Sequence, residues 1–528
     1  MRKFVKLLTI LIVPIILSAC DSYFPSSTST SMETISLVDS NSEVTTSTTS
    51  VENTSLSESS TISESTTSSY FSETISESTS LFPSEPINEI TNLDFFNLND
   101  FHGSVAYNSD NDEPGISRLA RYFSVKKANN PQGTIITSSG DMWQGSADSN
   151  ITKGRLVTDA MNLIGFDAMA LGNHEFDWGT DYIRTNRDMA DFPFLGANII
   201  ERASGEVADF ADSYTMIERQ GVRIGIIGTI GASLESSIMP SMVADYDFQD
   251  ITTHVISAAN ELENLGAHVT ILLNHYADVP AEILSYVDVV FNAHSHSLQS
   301  TTSNGVPLLQ ARSNGKSVAT ARLSYNRSSD IVTVLDYGVD DYIIYDDYQE
   351  DVTMASLYQT YYDEEIATIK DEVIGTATSN FGFPNIGNLA VQAMLNFGET
   401  YGAIAAFHNS GGVRSSIAAG MVTYGDVYKA LPFDNDLIVL ELTGYELKEW
   451  LGNGGYVAGI DSSNRIEATG QLIVNSATYK IITINYVSEN INYYPHDVFS
   501  EFNTYAYVRD LVAEMWRNAG TLNPSDYQ

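Results

Sequence analysis

Ala168-Met169-Ala170-Leu171-Gly172-Asn173-His174-Glu175-Phe176-Asp177 joins a short apolar run to a polar cluster. A run of this length that ends at a glycine reads as a buried strand, and the polar residues then sit beyond its carboxyl end. The arrangement recurs on both sides. Residues 93–98 precede Asn99-Asp100-Phe101-His102-Gly103, and 134–138 precede Gly140-Asp141-Met142-Trp143-Gln144-Gly145. Residues 269–273 lead into Asn274-His275, and 287–291 into Ala293-His294-Ser295-His296; a sixth run, 222–227, carries no such cluster. Longer amphipathic stretches separate the runs, which is the pattern of an α/β domain whose helices cover a sheet. Ligands in such sheets bind beyond the carboxyl ends of strands, so the clusters mark a candidate site.

Five of the nine histidines lie in these clusters; His254, His268, His408 and His496 do not. Asp100 and His102 are two residues apart, as are His294 and His296. In an extended strand end both members of each pair would face one side, which suits two-point chelation of a metal. Oxygen and imidazole donors without thiolate point to divalent Mn, Zn, Co or Fe.

Composition narrows the partners. The chain has 528 residues, 26 Lys plus Arg against 67 Asp plus Glu, a net charge of −41 and one cysteine. The length allows about three domains. So negative a surface, without a basic tract, disfavours nucleic acid as a partner. A single cysteine excludes an intramolecular disulfide and any Cys-rich zinc module.

That cysteine closes the N-terminal segment. Arg2, Lys3 and Lys6 form a basic start, and the apolar run 7–17 is too short to span about 30 Å of hydrocarbon as a helix. Leu17-Ser18-Ala19-Cys20 resembles the bacterial lipobox, which implies a signal peptide over 1–19 and lipidation of Cys20. The mature chain would then be exported and anchored by lipid to the outer face of the cell membrane. Residues 20–90 are dominated by Ser and Thr, with 11 acids and no Lys or Arg after Cys20. Such a segment buries too little apolar surface to offset its chain entropy and is expected to be a disordered tether.

In order and combination the five clusters resemble the calcineurin-like metallophosphoesterases, and more closely the secreted 5′-nucleotidase and UDP-sugar hydrolase family, over roughly residues 92–510. The resemblance implies a β-sandwich flanked by helices over 91–345, a connecting helix over 346–371 and a second α/β, substrate-binding domain over 372–528. It implies two divalent metal ions. Asp100, His102 and His296 would hold one, Asn173, His275 and His294 the other, and Asp141 would bridge them. Such a pair activates water for attack on phosphorus. His174 would not ligate but donate to the phosphoryl group, with Asp177 fixing its orientation and stabilising its protonated form.

Three stretches of the C-terminal part look like the substrate-binding domain of that family: Asn385-Ile386-Gly387-Asn388-Leu389-Ala390, Phe407-His408-Asn409-Ser410-Gly411-Gly412-Val413-Arg414, and Gly425 through Phe433. Gly411 and Gly412 let backbone amides approach a ligand, and Arg414 offers a fork suited to phosphate. Asn409 joins these as a substrate residue, and Phe433 would stack on one face of a nucleobase. Two departures from the family stand out. Phe381-Gly382-Phe383-Pro384 occupies the place where the family usually carries an Arg that binds substrate phosphate. Near the C-terminus Tyr486 can supply a second stacking ring, but Asn492 stands where the family has an Asp for the ribose hydroxyls.

The expected substrate is therefore a small phosphoester, most directly a nucleotide cleaved by a 5′-nucleotidase. A UDP-sugar or a 2′,3′-cyclic nucleotide is the alternative substrate, and a surface binding protein on the same fold the alternative role. A site between the two domains would be gated by rotation about the helix over 356–371.

Overall fold

The strand Val269–His275 is buried along its whole length. A strand covered on both faces needs apolar residues at every position, which is why this run lacks the alternation of a half-solvated strand. In the computed structural model, which describes residues 89–342, 348–497 and 500–528, it lies inside one of two stacked six-stranded sheets. The signal segment, Cys20 and nearly all of the tether lie outside the described residues.

The first sheet runs in the order Ile331–Asp341, Ser317–Asn326, Ile90–Leu98, Thr134–Ser138, Ala168–Ala170, Phe194–Leu195. Ile90–Leu98 pairs antiparallel with Ser317–Asn326 and parallel with Thr134–Ser138. The second runs Gln299–Ser303, Val306–Gln310, Val289–Asn292, Val269–His275, Val222–Ile230, Tyr214–Arg219, with the inner four parallel. Phe95 and Ile135 from one sheet share a core with Ile226 and Ile271 from the other. Their strand neighbours point outward. Phe96, Leu98 and Ile136 meet Leu119 of the helix Gly115–Asn129 and Met161 of Arg155–Ile164. Ile227, Leu272 and Val290 meet Val255 and Leu262 of Ile251–Asn264. The result is a helix–sheet–sheet–helix sandwich, the architecture expected for this region.

The C-terminal lobe has its own core. A five-stranded sheet, ordered Tyr456–Ala458, Ala405–His408, Thr478–Ile484, Asp436–Thr443, Glu501–Tyr507, is packed by the helices Phe383–Gly398 and Val508–Ala519 around Leu389, Trp450, Ile482 and Trp516. A three-stranded sheet, Gly420–Thr423, Val373–Ala377, Thr521–Leu522, adjoins it.

The helix between the lobes starts at Val352, and a π turn at Tyr362–Ile366 carries it into Ala367–Lys370. It is not a free strut. Met354 and Ile366 are buried in the first lobe's core, the Tyr358 hydroxyl donates to Asp148 at 2.8 Å, and that of Tyr361 donates to Asp159 at 2.7 Å. Among the described residues no helix is long and apolar enough to cross a membrane.

Candidate active site

The polar clusters converge at the carboxyl ends of the strands. Their backbone differs from the extended strand ends read from the sequence. Asp100, His102, Asp141, His294 and His296 adopt φ of +50°, +49°, +55°, +72° and +54°. Ile90–Leu98 and Val289–Asn292 have ended before these residues, so the paired side chains converge through left-handed turns and not through strand alternation. Strained positions of this kind persist only where the surroundings over-determine them.

Two sets of donor atoms form. Asp100, His102 and His296 make one, and Asp141, His275 and His294 the other, each within 4.8 Å of one another. In the first set the two Nε2 atoms of His102 and His296 face each other at 3.0 Å, and Asp100 Oδ1 is 3.6 Å from that of His296. The Nδ1–H of His102 donates to the Gln144 carbonyl at 2.9 Å, which leaves Nε2 with its lone pair. In the second, Asn173 Oδ1 lies 3.2 Å from His275 Nε2 and 3.1 Å from His294 Nδ1, and Asp141 Oδ2 lies 3.3 Å from His275 Nε2. The Nδ1–H of His275 donates to the Ser139 carbonyl at 2.7 Å. Asn173 Oδ1 thus lies against the second set.

The donor chemistry fits divalent cations. In the polypeptide alone, burial pushes the Asp100 carboxyl up to about 7 and the imidazoles of His294 and His296 down to about 4. Burial would also lower His275, but the carboxylates of Asp141 and Asp100 outweigh it and raise that imidazole to about 9. A proton held on Nε2 there stands among a carboxylate and an amide oxygen, the position a cation would take. Buried carboxylates beside the neutral imidazoles of His294 and His296, with a proton on His275 where a cation would stand, fit a metal that displaces that proton.

Gly172 makes room for this arrangement. A Cβ on it would lie 2.3 Å from Asp141 Oδ1 and 2.6 Å from His275 Cε1. Glu175, to which the sequence assigned no role, ties the loops together. Fully buried, it accepts the backbone N–H groups of Gly172 at 2.7 Å, Asp141 at 2.8 Å and Met142 at 2.7 Å. Its function runs through main-chain donors, which leave no trace in residue type; only its place inside the Gly172–Asp177 cluster could have drawn attention to it.

His174 stands apart from both donor sets. Its Nδ1 lies 2.7 Å from Asp177 Oδ2, its backbone N–H donates to Asp141 Oδ1 at 2.8 Å, and its side chain is 13 % exposed. Burial disfavours its charged form, but Asp177 and Asp141 prevail and raise its pKa.

The C-terminal lobe closes the site. Asn409, Gly411, Gly412, Arg414, Phe433 and Tyr486 share a cavity of about 320 Å³ with Asp141, Asn173, His174, Asp177, His294 and His296. Gly412 is required by space, since a Cβ would lie 2.1 Å from His408 Cε1; Gly411 has open room, its nearest neighbour 3.5 Å away. The Asn409 Oδ1 is buried without a hydrogen-bond partner among the described residues. Asn492 is not brought to the cavity. The side chain of Asn490, 3 % exposed, donates to the Ser236 carbonyl of the first lobe at 3.0 Å, and the chain turns outward after it, leaving Asn492 exposed.

Contacts between the lobes surround Phe433. Asn150 Nδ2 donates to the Pro432 carbonyl at 3.0 Å, and Lys153 reaches across to Asp434. Asp434 is also paired with Arg509, which donates to the Phe433 carbonyl at 3.1 Å.

Comparison with known proteins agrees with this architecture. Residues 365–465 match the model of the 5′-nucleotidase C-terminal domain. Endonuclease YhcR of Bacillus subtilis is 30 % identical over 402 residues, which is 68 % of this chain and 32 % of that protein, so the chain spans about a third of that relative. Protein UshA of Yersinia enterocolitica is 23 % identical over 517 residues, covering 83 % of this chain and 92 % of its own. The crystal structure of the 5′-nucleotidase precursor from Thermus thermophilus superimposes with a TM-score of 0.66 at 21 % identity, over 82 % of this chain and 97 % of that one. The matched C-terminal module, together with two lobes on the same plan as those of the Thermus thermophilus 5′-nucleotidase precursor, makes this chain similar to the 5′-nucleotidases in sequence and fold.

Proposed function

We propose that the chain is a metal-dependent phosphoester hydrolase that releases phosphate from nucleotides outside the cytoplasmic membrane. The observation that carries this reading is the meeting, around Asp141, of two O/N donor sets with the His174–Asp177 pair at the floor of an aromatic cavity. Asp100, His102 and His296 would hold one divalent ion, and Asn173, His275 and His294 the other, with Asp141 between them. Such ions screen phosphoryl charge and lower the pKa of water.

The remaining chemistry belongs to side chains. His174, whose protonated form Asp177 and Asp141 favour, would aim an N–H at charge developing on the phosphoryl group. Asn409 and Arg414 bind the substrate's polar part, and Phe433 and Tyr486 hold its base. Leu17-Ser18-Ala19-Cys20 supports a lipid anchor at Cys20.

Phosphate release from AMP, UDP-glucose and an aryl phosphate, with Mn²⁺ and with EDTA, tests the reading. Mn²⁺-dependent release from AMP is expected. No release from any of the three by metal-loaded protein would favour a binding protein. Cys20→Ser is expected to move the protein from the membrane fraction to the soluble one.

A further inference from the structure

A second, larger cavity of about 600 Å³ has His102 and His296 of the first donor set in its lining. The two cavities meet at Gln144, His296 and Arg414, which line both. Each has aromatic rings of its own. Trp178, Phe433 and Tyr486 line the first, while Tyr107 and Phe383, 43 % and 47 % exposed, line the second. A phosphomonoester carries one organic group and fills one such cavity. Two cavities joined at the reacting centre suit a phosphoryl group that carries two.

The junction itself lacks a partner. Gln144 is 1 % exposed, yet its Nε2 has no hydrogen-bond partner among the described residues. Leaving a buried amide unpaired is unfavourable, and an oxygen at the junction would remove that cost. The charges of the second cavity are largely matched: Lys370 lies 2.7 Å from Asp148, and Lys429 4.0 Å from Glu113. The cavity therefore favours an uncharged guest.

We propose that the Tyr107–Phe383 cavity is a second substrate subsite, which takes an uncharged, flat or hydroxyl-bearing group esterified to the reacting phosphoryl unit. This rests on the hydrolase reading above. In the step it serves, the water oxygen bonds to phosphorus and the bond from phosphorus to the second group's oxygen breaks. That oxygen leaves with the electron pair and takes up a proton, giving a nucleotide and an alcohol.

The test compares thymidine 5′-monophosphate with its p-nitrophenyl ester in wild type, Phe383→Ala and Asn111→Trp, the last placing a bulky ring at an exposed position of the cavity lining. Both variants are expected to lower kcat/KM for the ester about tenfold and to leave the monophosphate within about twofold. Calorimetric titration of metal-loaded protein should show the same selective loss in binding. Equal effects on both ligands, or none, in binding and turnover overturn the subsite. Selective loss of ester binding with no turnover of either compound supports the subsite and overturns the hydrolase reading.

Discussion

The rings of His174 and Phe433, which come from different lobes, lie 6.0 Å apart between centroids with their planes inclined by 29°. The proposed hydrogen-bond donor to the phosphoryl group is therefore partly walled by a residue of the C-terminal lobe. Asp177 on one side and Phe433 on the other fix where that imidazole points.

His174→Ala should retain bound metal and lose about 10²- to 10⁴-fold in kcat, the range of a positioned proton donor. Metal analysis beside steady-state kinetics separates this from ligation. Lost metal with unchanged turnover per loaded centre would reject the role.

Glu175→Gln keeps the shape but turns an NH₂ group toward backbone N–H donors. With three such bonds at stake, a loss of about 2–4 kcal/mol in urea unfolding is expected, together with weaker metal binding.

Gly172→Ala tests packing alone, since Gly172 is not in the left-handed region. The added methyl displaces Asp141 or His275, so metal content should fall sharply while stability drops by only about 1–3 kcal/mol. Full metal occupancy would show that the loop relaxes.

Asp434 makes the lobe interface sensitive to acid. Burial raises its pKa, but Arg509 and Lys153 outweigh burial and hold it below 3.8. Its contribution is thus fully present above pH 3.8 and lost only as pH falls through the lower folded value. Asp434→Asn, which leaves Arg509 buried beside no carboxylate, should cost about 3–5 kcal/mol at pH 7. The gap from wild type should persist down to about pH 4 and narrow below it, as denaturant unfolding at several pH values would show.

Much of this was legible because the central strands are buried on both faces and write themselves as unbroken apolar runs. Ser317–Asn326 and its edge neighbour Ile331–Asp341 alternate apolar with polar residues, so they did not stand out. The donor residues were legible by type and order. Their geometry was not, because nothing in Asp100 or His294 announces a positive φ. Residues that act through main-chain atoms, such as Glu175, or that turn away from the cavity, such as Asn492, are settled by the packing around them.

The left-handed turns at Asp100, His102, Asp141, His294 and His296 also constrain descent. Aspartate, asparagine and histidine tolerate that backbone better than other side chains, and glycine adopts it freely, whereas β-branched residues are strained there. A lineage that abandons the chemistry but keeps the fold should accumulate Asn and Gly at these five positions before Val, Ile or Thr, so that lost catalysis is recorded as a glycine-rich scar.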